Sequence, residues 1–369
     1  MENETQEFSE ISESREVHES RDPLRGIVTR GVGGLYGVRL TDHPDEEILC
    51  RARGIFRQKK LSPTVGDDVT IALATEEEKA EPLDLPDEPE TGARGKSKMR
   101  YVKEKSVDVD YVITSVGERK SLMIRPPLAN LDYLFAVIPC ASPEPDLLTV
   151  DKLTVIAENY GIETVVVVNK ADLDMTRAEE IQKIYETAGY RVFLLSAATG
   201  EGVDALKAYL GEISAESIDG RHVSGAFAGA SGAGKSTLMS ALFPDLHLAT
   251  GSVSRKTERG RHTTRHVELY PVKMDEELFW IADTPGFSLL DFTRFDFFPY
   301  DELAASFREF DDCLGECRYT KCTHLREEGC AVLAKMEAGG IAKSRHDSYI
   351  RIFEEQRSVP EWKRRQNEK

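Results

Sequence analysis

Gly229-Ala230-Ser231-Gly232-Ala233-Gly234-Lys235-Ser236 satisfies G-x-x-x-x-G-K-[ST] at every fixed position. Its flanks support the same reading. The apolar run Val223 to Ala228 enters it, and Thr237-Leu238-Met239-Ser240-Ala241-Leu242 leaves it as a helix. Glycines at such a turn let backbone N–H groups close around a phosphate, and the helix N-terminus adds its positive end. Lys235 is expected to neutralise terminal phosphate oxygens, and the Ser236 hydroxyl to ligate magnesium. Residues Gly229 through Thr237 form the expected phosphate-contacting set. A chance glycine-rich turn is the bland alternative, and the strand and helix around the loop count against it.

Outward from this loop, Asp283-Thr284-Pro285-Gly286 closes the apolar strand Leu278 to Ala282, 48 residues beyond Lys235. An aspartate there can hold a magnesium-bound water, and the Gly286 N–H can meet a γ-phosphate. Between the two lies Gly260-Arg261-His262-Thr263-Thr264. Thr263 or Thr264, with Thr264 favoured, is the candidate for the hydroxyl that completes magnesium coordination.

Asn169-Lys170-Ala171-Asp172 follows the strand Thr164 to Val168 and matches N-K-x-D. A carboxylate only accepts hydrogen bonds, and guanine offers it two donors, N1–H and the 2-amino group. Adenine offers neither, so the Asp172 carboxylate would lose charged hydrogen bonds worth about 1.5–3 kcal/mol. Lys170 is expected to lay its stem along the base. Ser196-Ala197-Ala198 follows the next strand and would offer the Ala197 N–H to the guanine oxygen. The set reads as a GTPase whose motifs stand in permuted order, because Asn169 precedes Gly229 by 60 residues. Loops gathered at one sheet edge survive such a reopening of the chain.

The 369 residues exceed one ordinary core and predict two or three domains. Residues 1–21 read as a disordered acidic tail. Residues 22–124 carry five short strand-like segments: Gly26–Arg30, Gly33–Leu40, Ile48–Phe56, Asp68–Leu73 and Val107–Ile113. Short strands with turn punctuation predict a small barrel, OB-fold-like, although an SH3-like barrel would read similarly. An acidic insertion at 75–98 interrupts it. Residues 125–298 alternate strands and helices, which predicts a parallel sheet covered on both faces. Expected strands are Tyr133–Ile138, Thr164–Val168 and Arg191–Leu195, with helices Leu148–Asn159, Arg177–Ala188 and Val203–Leu210. Residues 299–369 show no strand and two expected helices, Tyr300–Phe310 and Ser344–Gln356. The class is therefore α/β, with a β-barrel before and a helical unit after the nucleotide domain.

Cys317-x4-Cys322-x-His324-x5-Cys330 supplies three thiolates and an imidazole, a closed tetrahedral set for one structural zinc. The C-terminal unit has few large apolar residues, so a staple is expected. Cys313 could compete as a ligand, whereas Cys50 and Cys140 read as small hydrophobes.

The chain carries a net charge of −17, which argues against a nucleic-acid partner until its distribution is considered. Residues 1–22 contribute −6 and residues 75–92 contribute −7. Against this stand basic stretches at Arg94–Lys105, Arg255–His266 and Lys363–Lys369. No apolar run reaches membrane-spanning length, and the acidic N-terminus excludes a secretory signal, so a cytoplasmic protein is expected.

A β-barrel, a permuted GTPase core and a Cys-Cys-His-Cys unit together resemble the RsgA (YjeQ) family of ribosome-assembly GTPases. The resemblance covers about residues 22 to 355. It rests on Arg125-Pro126-Pro127-Leu128-Ala129-Asn130-Leu131-Asp132, the motifs above, Asp283 to Phe287 and the zinc spacing. It implies binding to the small ribosomal subunit and its rRNA in the GTP state, hydrolysis stimulated by the subunit, and release with GDP. A monomer suffices for this. The acidic tail and the 75–98 insertion depart from the family pattern. Phe287 stands where many GTPases place a water-orienting glutamine, so His262 is the candidate to position the water, the alternative being a solvated or RNA-contacting loop histidine. One alternative is an RNA-binding module whose nucleotide site is structural and does not turn over. A P-loop kinase is a weaker one, since Asn169 to Asp172 speak for guanine.

Overall fold

The computed structural model describes residues 23–58, 62–76, 78, 85–86, 101–102, 109–123, 127–216, 221–244, 246, 267–274, 277–283 and 300–358. The expected acidic tail, most of the 75–98 insertion and the basic stretches at 255–266 and 363–369 lie outside the described residues.

Strands β1 (Leu24–Val32), β2 (Leu35–Leu40), β3 (Glu47–Ala52), β4 (Asp68–Leu73) and β5 (Tyr111–Val116) close into a barrel in the order β1-β2-β3-β5-β4. β5 runs parallel to β3 and antiparallel to β4, and β4 closes onto β1. This Greek-key path is that of an OB-like barrel. Alternating side chains of the strands point inward, and Val28, Val38, Cys50, Val69, Ile71 and Ile113 fill the interior. The expected segment Ile48–Phe56 divides in two. Its strand ends at Ala52, and a short helix, α1 (Gly54–Gln58), packs Phe56 against the barrel core.

The second body is a six-stranded sheet. Its elements are β6 (Tyr133–Pro139), α2 (Leu147–Asn159), β7 (Glu163–Asn169), α3 (Met175–Thr187), β8 (Arg191–Leu194) and α4 (Val203–Ser214), followed by β9 (Ser224–Ala228), α5 (Lys235–Leu242), β10 (Glu268–Met274) and β11 (Glu277–Asp283). The strand order is β8-β7-β6-β9-β11-β10. In β7, Val165 and Val167 join one core while Val166 and Val168 join the other, as a strand covered on both faces requires. Asp146 and Asp174 cap α2 and α3 by accepting from Thr149 N and Arg177 N. β10 was not expected, and it pairs antiparallel with β11, so the sheet is mixed and not wholly parallel. Its Pro271 and Lys273 break the apolar pattern, which the sheet edge tolerates.

The two bodies meet through Leu128–Asp132. Ala129 N donates to Val65 O at 2.8 Å and Asn130 Nδ2 to Gly66 O at 3.0 Å. Arg221 pairs in bidentate fashion with Asp132 at 2.7 and 2.9 Å, and Asp132 also accepts from Ser224 N at the start of β9.

Among the described residues from 300 on there is no strand. The expected helix Tyr300–Phe310 is replaced by two 3-10 turns, Leu303–Ser306 and Arg308–Cys313, with extended Phe307 between them. The tighter turn sets Phe307 and Phe310 three apart on one side, stacked with ring centroids 5.1 Å apart. Helices α6 (Ala331–Glu337) and α7 (Lys343–Arg357) follow. The unit is richer in buried apolar groups than its composition implied. Leu303, Phe307, Phe310, Val332, Tyr349, Ile352 and Phe353 form one continuous core with Leu153 and Ile156 of α2.

Candidate nucleotide site and metal centre

β6 is the switch point of the sheet. The chain goes from it to β7 on one side and later returns to β9 on the other. Ligands of open α/β sheets bind where strand carboxyl ends diverge in this way. The carboxyl ends of β7 and β9 carry Asn169 and Gly229, so the topology brings the two permuted motifs together beside β6.

Gly229 leaves β9 with φ of 150°, and Gly234 caps α5 in the left-handed region at 91°. A Cβ on Gly229 would overlap the Val137 carbonyl, and one on Gly234 would overlap the Asn169 amide. Both glycines are therefore demanded by packing as well as by any phosphate. Lys235 Nζ lies back over the loop, donating to Gly229 O at 2.6 Å and Ala230 O at 3.1 Å. Burial pulls its ammonium below the ordinary lysine range. Ser236 and Thr237 stand exposed in the first turn of α5, open to a ligand.

Asn169 holds the site together. Its side chain is buried, and Nδ2 donates to Ala233 O of the phosphate loop at 2.9 Å. Its Oδ1 accepts from Lys170 N at 2.7 Å and from Ala197 N at 3.0 Å. Three sequence motifs thus converge on one amide. The Ala197 N–H, expected at a guanine oxygen, donates here to Asn169 Oδ1. Ser196 is buried and accepts through Oγ from Thr199 N at 3.2 Å, closing its own turn. Lys170 is left-handed at φ 65°, and Asp172 is exposed. His262, Thr263, Thr264, Gly286 and Phe287 lie outside the described residues, as does the side chain of Asp283.

Cys317, Cys322, His324 and Cys330 bring their ligand atoms within 4.8 Å of one another. The Cys317 and Cys330 sulfurs are 3.9 Å apart, and His324 Nδ1 lies 3.5 and 3.4 Å from them. Tetrahedral zinc with Zn–S of about 2.3 Å and Zn–N of about 2.0 Å requires edges of about 3.8 and 3.5 Å. The sulfurs are too far apart for disulfides. Burial pushes the Cys322 thiol up to about 12, so thiolate ligation at neutral pH needs a cation. The donor set fits zinc. Cys313 stays outside it, its sulfur 3.6 Å from Asp312 Oδ1. A supporting ring was missed in the sequence. Glu327 accepts from Thr323 N, Thr323 Oγ1, Leu325 N and Arg326 N, while His346 Nε2 lies 2.8 Å from His324 O. No spacing rule marks such residues.

Comparison with known proteins agrees with this geometry. The RsgA GTPase family model matches residues 116–293, and the RsgA N-terminal domain model matches residues 25–80. A protein of Ruminiclostridium cellulolyticum named small ribosomal subunit biogenesis GTPase RsgA is 32% identical over 93% of this chain and 97% of its own length. One of the same name from Moorella thermoacetica is 36% identical over 90% and 97%. The crystal structure of YjeQ from Thermotoga maritima superposes with a TM-score of 0.68 at 30% identity, over 92% of this chain and all of that one. That of YloQ, described as a circularly permuted GTPase, gives 0.65 at 27% identity, over 94% and 99%. With both family models matched and relatives 32–36% identical over at least nine-tenths of its length, the chain belongs to the RsgA family of GTPases.

Proposed function

We propose that this GTPase is a late assembly factor of the small ribosomal subunit. It docks on rRNA with GTP bound, is stimulated by the subunit to hydrolyse GTP, and leaves with GDP. The observation that carries this reading is the Asn169 side chain, which ties the guanine-reading loop, the Ser196–Ala197 turn and the phosphate loop into one site. The relatives' names supply the ribosomal partner. The protein acts in the cytoplasm as a monomer, and among the described residues no helix is long and apolar enough to cross a membrane.

In this reading the boundaries of the tail, barrel, nucleotide domain and zinc unit fall at 22, 125 and 299. Asp172 accepts from the guanine N1–H and amino group, and Lys170 flanks the base. The backbone from Gly229 to Thr237 cradles the phosphates, and Lys235 exchanges its own loop carbonyls for their oxygens. Ser236 and Thr264 would hold magnesium, which supplies neutralising charge when bound, with Asp283 and Gly286 at the γ-phosphate. Because Phe287 cannot orient water, His262 takes that task on the subunit.

The deciding measurement is phosphate release with and without purified small subunits. Strong stimulation is the expected result. Unchanged turnover would leave an RNA-binding module with a structural nucleotide. Full stimulation in His262→Ala would remove the histidine from the mechanism.

A further inference from the structure

The turn after β6 touches the guanine-reading loop and the phosphate loop at four points. Cys140 N donates to Asn169 O at 2.9 Å, and Cys140 Sγ donates to Lys170 O, also at 2.9 Å. Ser142 O accepts from Lys170 Nζ. The Pro143 ring lies 3.3 Å from where a Cβ on Gly232 would stand, so it abuts the crown of the phosphate loop.

Lys170 needs such support. A side-chain-bearing residue at φ 65° is disfavoured and persists only where neighbouring contacts hold it. The Cys140 thiol fixes its carbonyl, and the Ser142 carbonyl fixes its ammonium. Between these ends the stem passes Gly234, with Cε 3.8 Å from that residue's Cβ position. Cys140 is buried, and burial pushes its thiol up, so it stays protonated as a donor at neutral pH. A cysteine acting only as core filler would not need its sulfur on a carbonyl.

We propose that Cys140 and Pro143 are positioning residues for the guanine nucleotide, Cys140 holding Lys170 along the phosphate loop and Pro143 bearing on that loop at Gly232, so that the base and phosphate subsites keep a fixed separation. They take no part in the chemistry; the effect of Cys140 passes through Lys170, and that of Pro143 through Gly232 of the phosphate loop. The proposal rests on the guanine reading of the site, and the test separates the two.

The experiment measures affinity and release of fluorescent GDP and ADP on the full chain. The variants are Cys140→Val, Cys140→Ser and Pro143→Ala, each in the parent and in a Lys170→Ala background. Cys140→Val keeps bulk but loses the donor, and it should weaken GDP about 3- to 10-fold through faster release. Pro143→Ala should do the same to a similar degree, while Cys140→Ser, which keeps a donor, stays within about twofold of the parent. In the Lys170→Ala background the Cys140→Val loss should not recur, because the residue it acts through is gone, whereas the Pro143→Ala loss should persist. Equal Cys140→Val losses in both backgrounds, or no loss in the parent from either variant, would overturn the proposal while GDP is still preferred over ADP. A parent that binds GDP and ADP equally would overturn the guanine reading together with it.

Discussion

Arg345 of α7 and Asp151 of α2 form an ion pair at 2.6 Å, with side chains 0% and 1% exposed. The same guanidinium pairs with Glu309 at 2.7 and 3.1 Å and donates to Thr154 Oγ1 at 3.0 Å. It packs against the Phe307 ring at 4.8 Å. Burial pulls Arg345 down, but the Asp151 and Glu309 carboxylates outweigh it and hold the guanidinium well above its ordinary value. One buried cation thus joins the nucleotide domain, the 3-10 turns and the last helix. Removing a single member of such a set leaves buried charge uncompensated, at about 3–5 kcal/mol. Arg345→Met should therefore lower the urea midpoint strongly. The triple variant Arg345→Met, Asp151→Asn, Glu309→Gln should recover much of the loss, because no unpaired charge remains. A single variant as stable as the parent would show that the network carries no coupling.

Asn169 predicts a different kind of loss. Asn169→Ala removes three hydrogen bonds and leaves the Ala233 carbonyl and the Ala197 N–H without their partner. Buried groups left unpaired cost about 1–3 kcal/mol, so nucleotide affinity should fall about 5- to 150-fold. The loss should be equal for GTP and GDP, since no contact of Asn169 depends on the γ-phosphate. Titration with fluorescent analogues of both checks this, and a loss confined to GTP would contradict it.

How far the site could be read without coordinates follows from what each residue does. Gly229, Gly234, Lys235 and Asn169 sit in patterns whose chemistry requires those types at those spacings, so they were legible. The Cys3His set was legible for the same reason. Arg345 was not. In Lys343-Ser344-Arg345-His346 it reads as a polar helix face, and contacts with residues 36 to 194 positions earlier bury it. β10 was hidden by Pro271 and Lys273, whose tolerance depends on lying at a sheet edge. Cys140 looked like a small hydrophobe because a thiol bonded to a carbonyl leaves no trace in sequence. Local chemistry is written locally, whereas long-range packing is not.

Glu327 gives a pH test of the zinc unit. Burial alone would raise its carboxyl, but hydrogen bonds from the Thr323 side chain and backbone and from Arg326 N bring it to about 2. A depressed carboxyl stabilises the fold above its unfolded value of about 4.3, and this is lost as pH falls toward 2. Glu327→Gln should therefore be less stable than the parent at pH 7, by about 1–2 kcal/mol after allowance for its partial exposure. The gap between the two should narrow between pH 5 and pH 3. Denaturation of both proteins across that range measures it, and a gap that stays constant would mean that the charge is not what matters.

Zinc removal should loosen the Cys3His loop without releasing α7. The loop meets α7 through His346 Nε2 at 2.8 Å from His324 O and through Tyr349 Oη donating to Thr323 O at 2.8 Å. These are two polar contacts that depend on the loop's shape. The helix itself is anchored elsewhere, by Tyr349, Ile352 and Phe353 in the core shared with α2, and by Arg345 on Asp151. Structural zinc sites contribute binding energy directly to folding where no other core exists. Here that contribution falls on residues 315–330, since α7 has its own buried area. Hydrogen exchange on the chelator-treated full chain should rise sharply across 315–330 and only modestly in α7, with GDP affinity within about twofold of the holoprotein. Exchange in α7 as fast as in the loop would mean that zinc, and not the shared core, keeps the last helix in place.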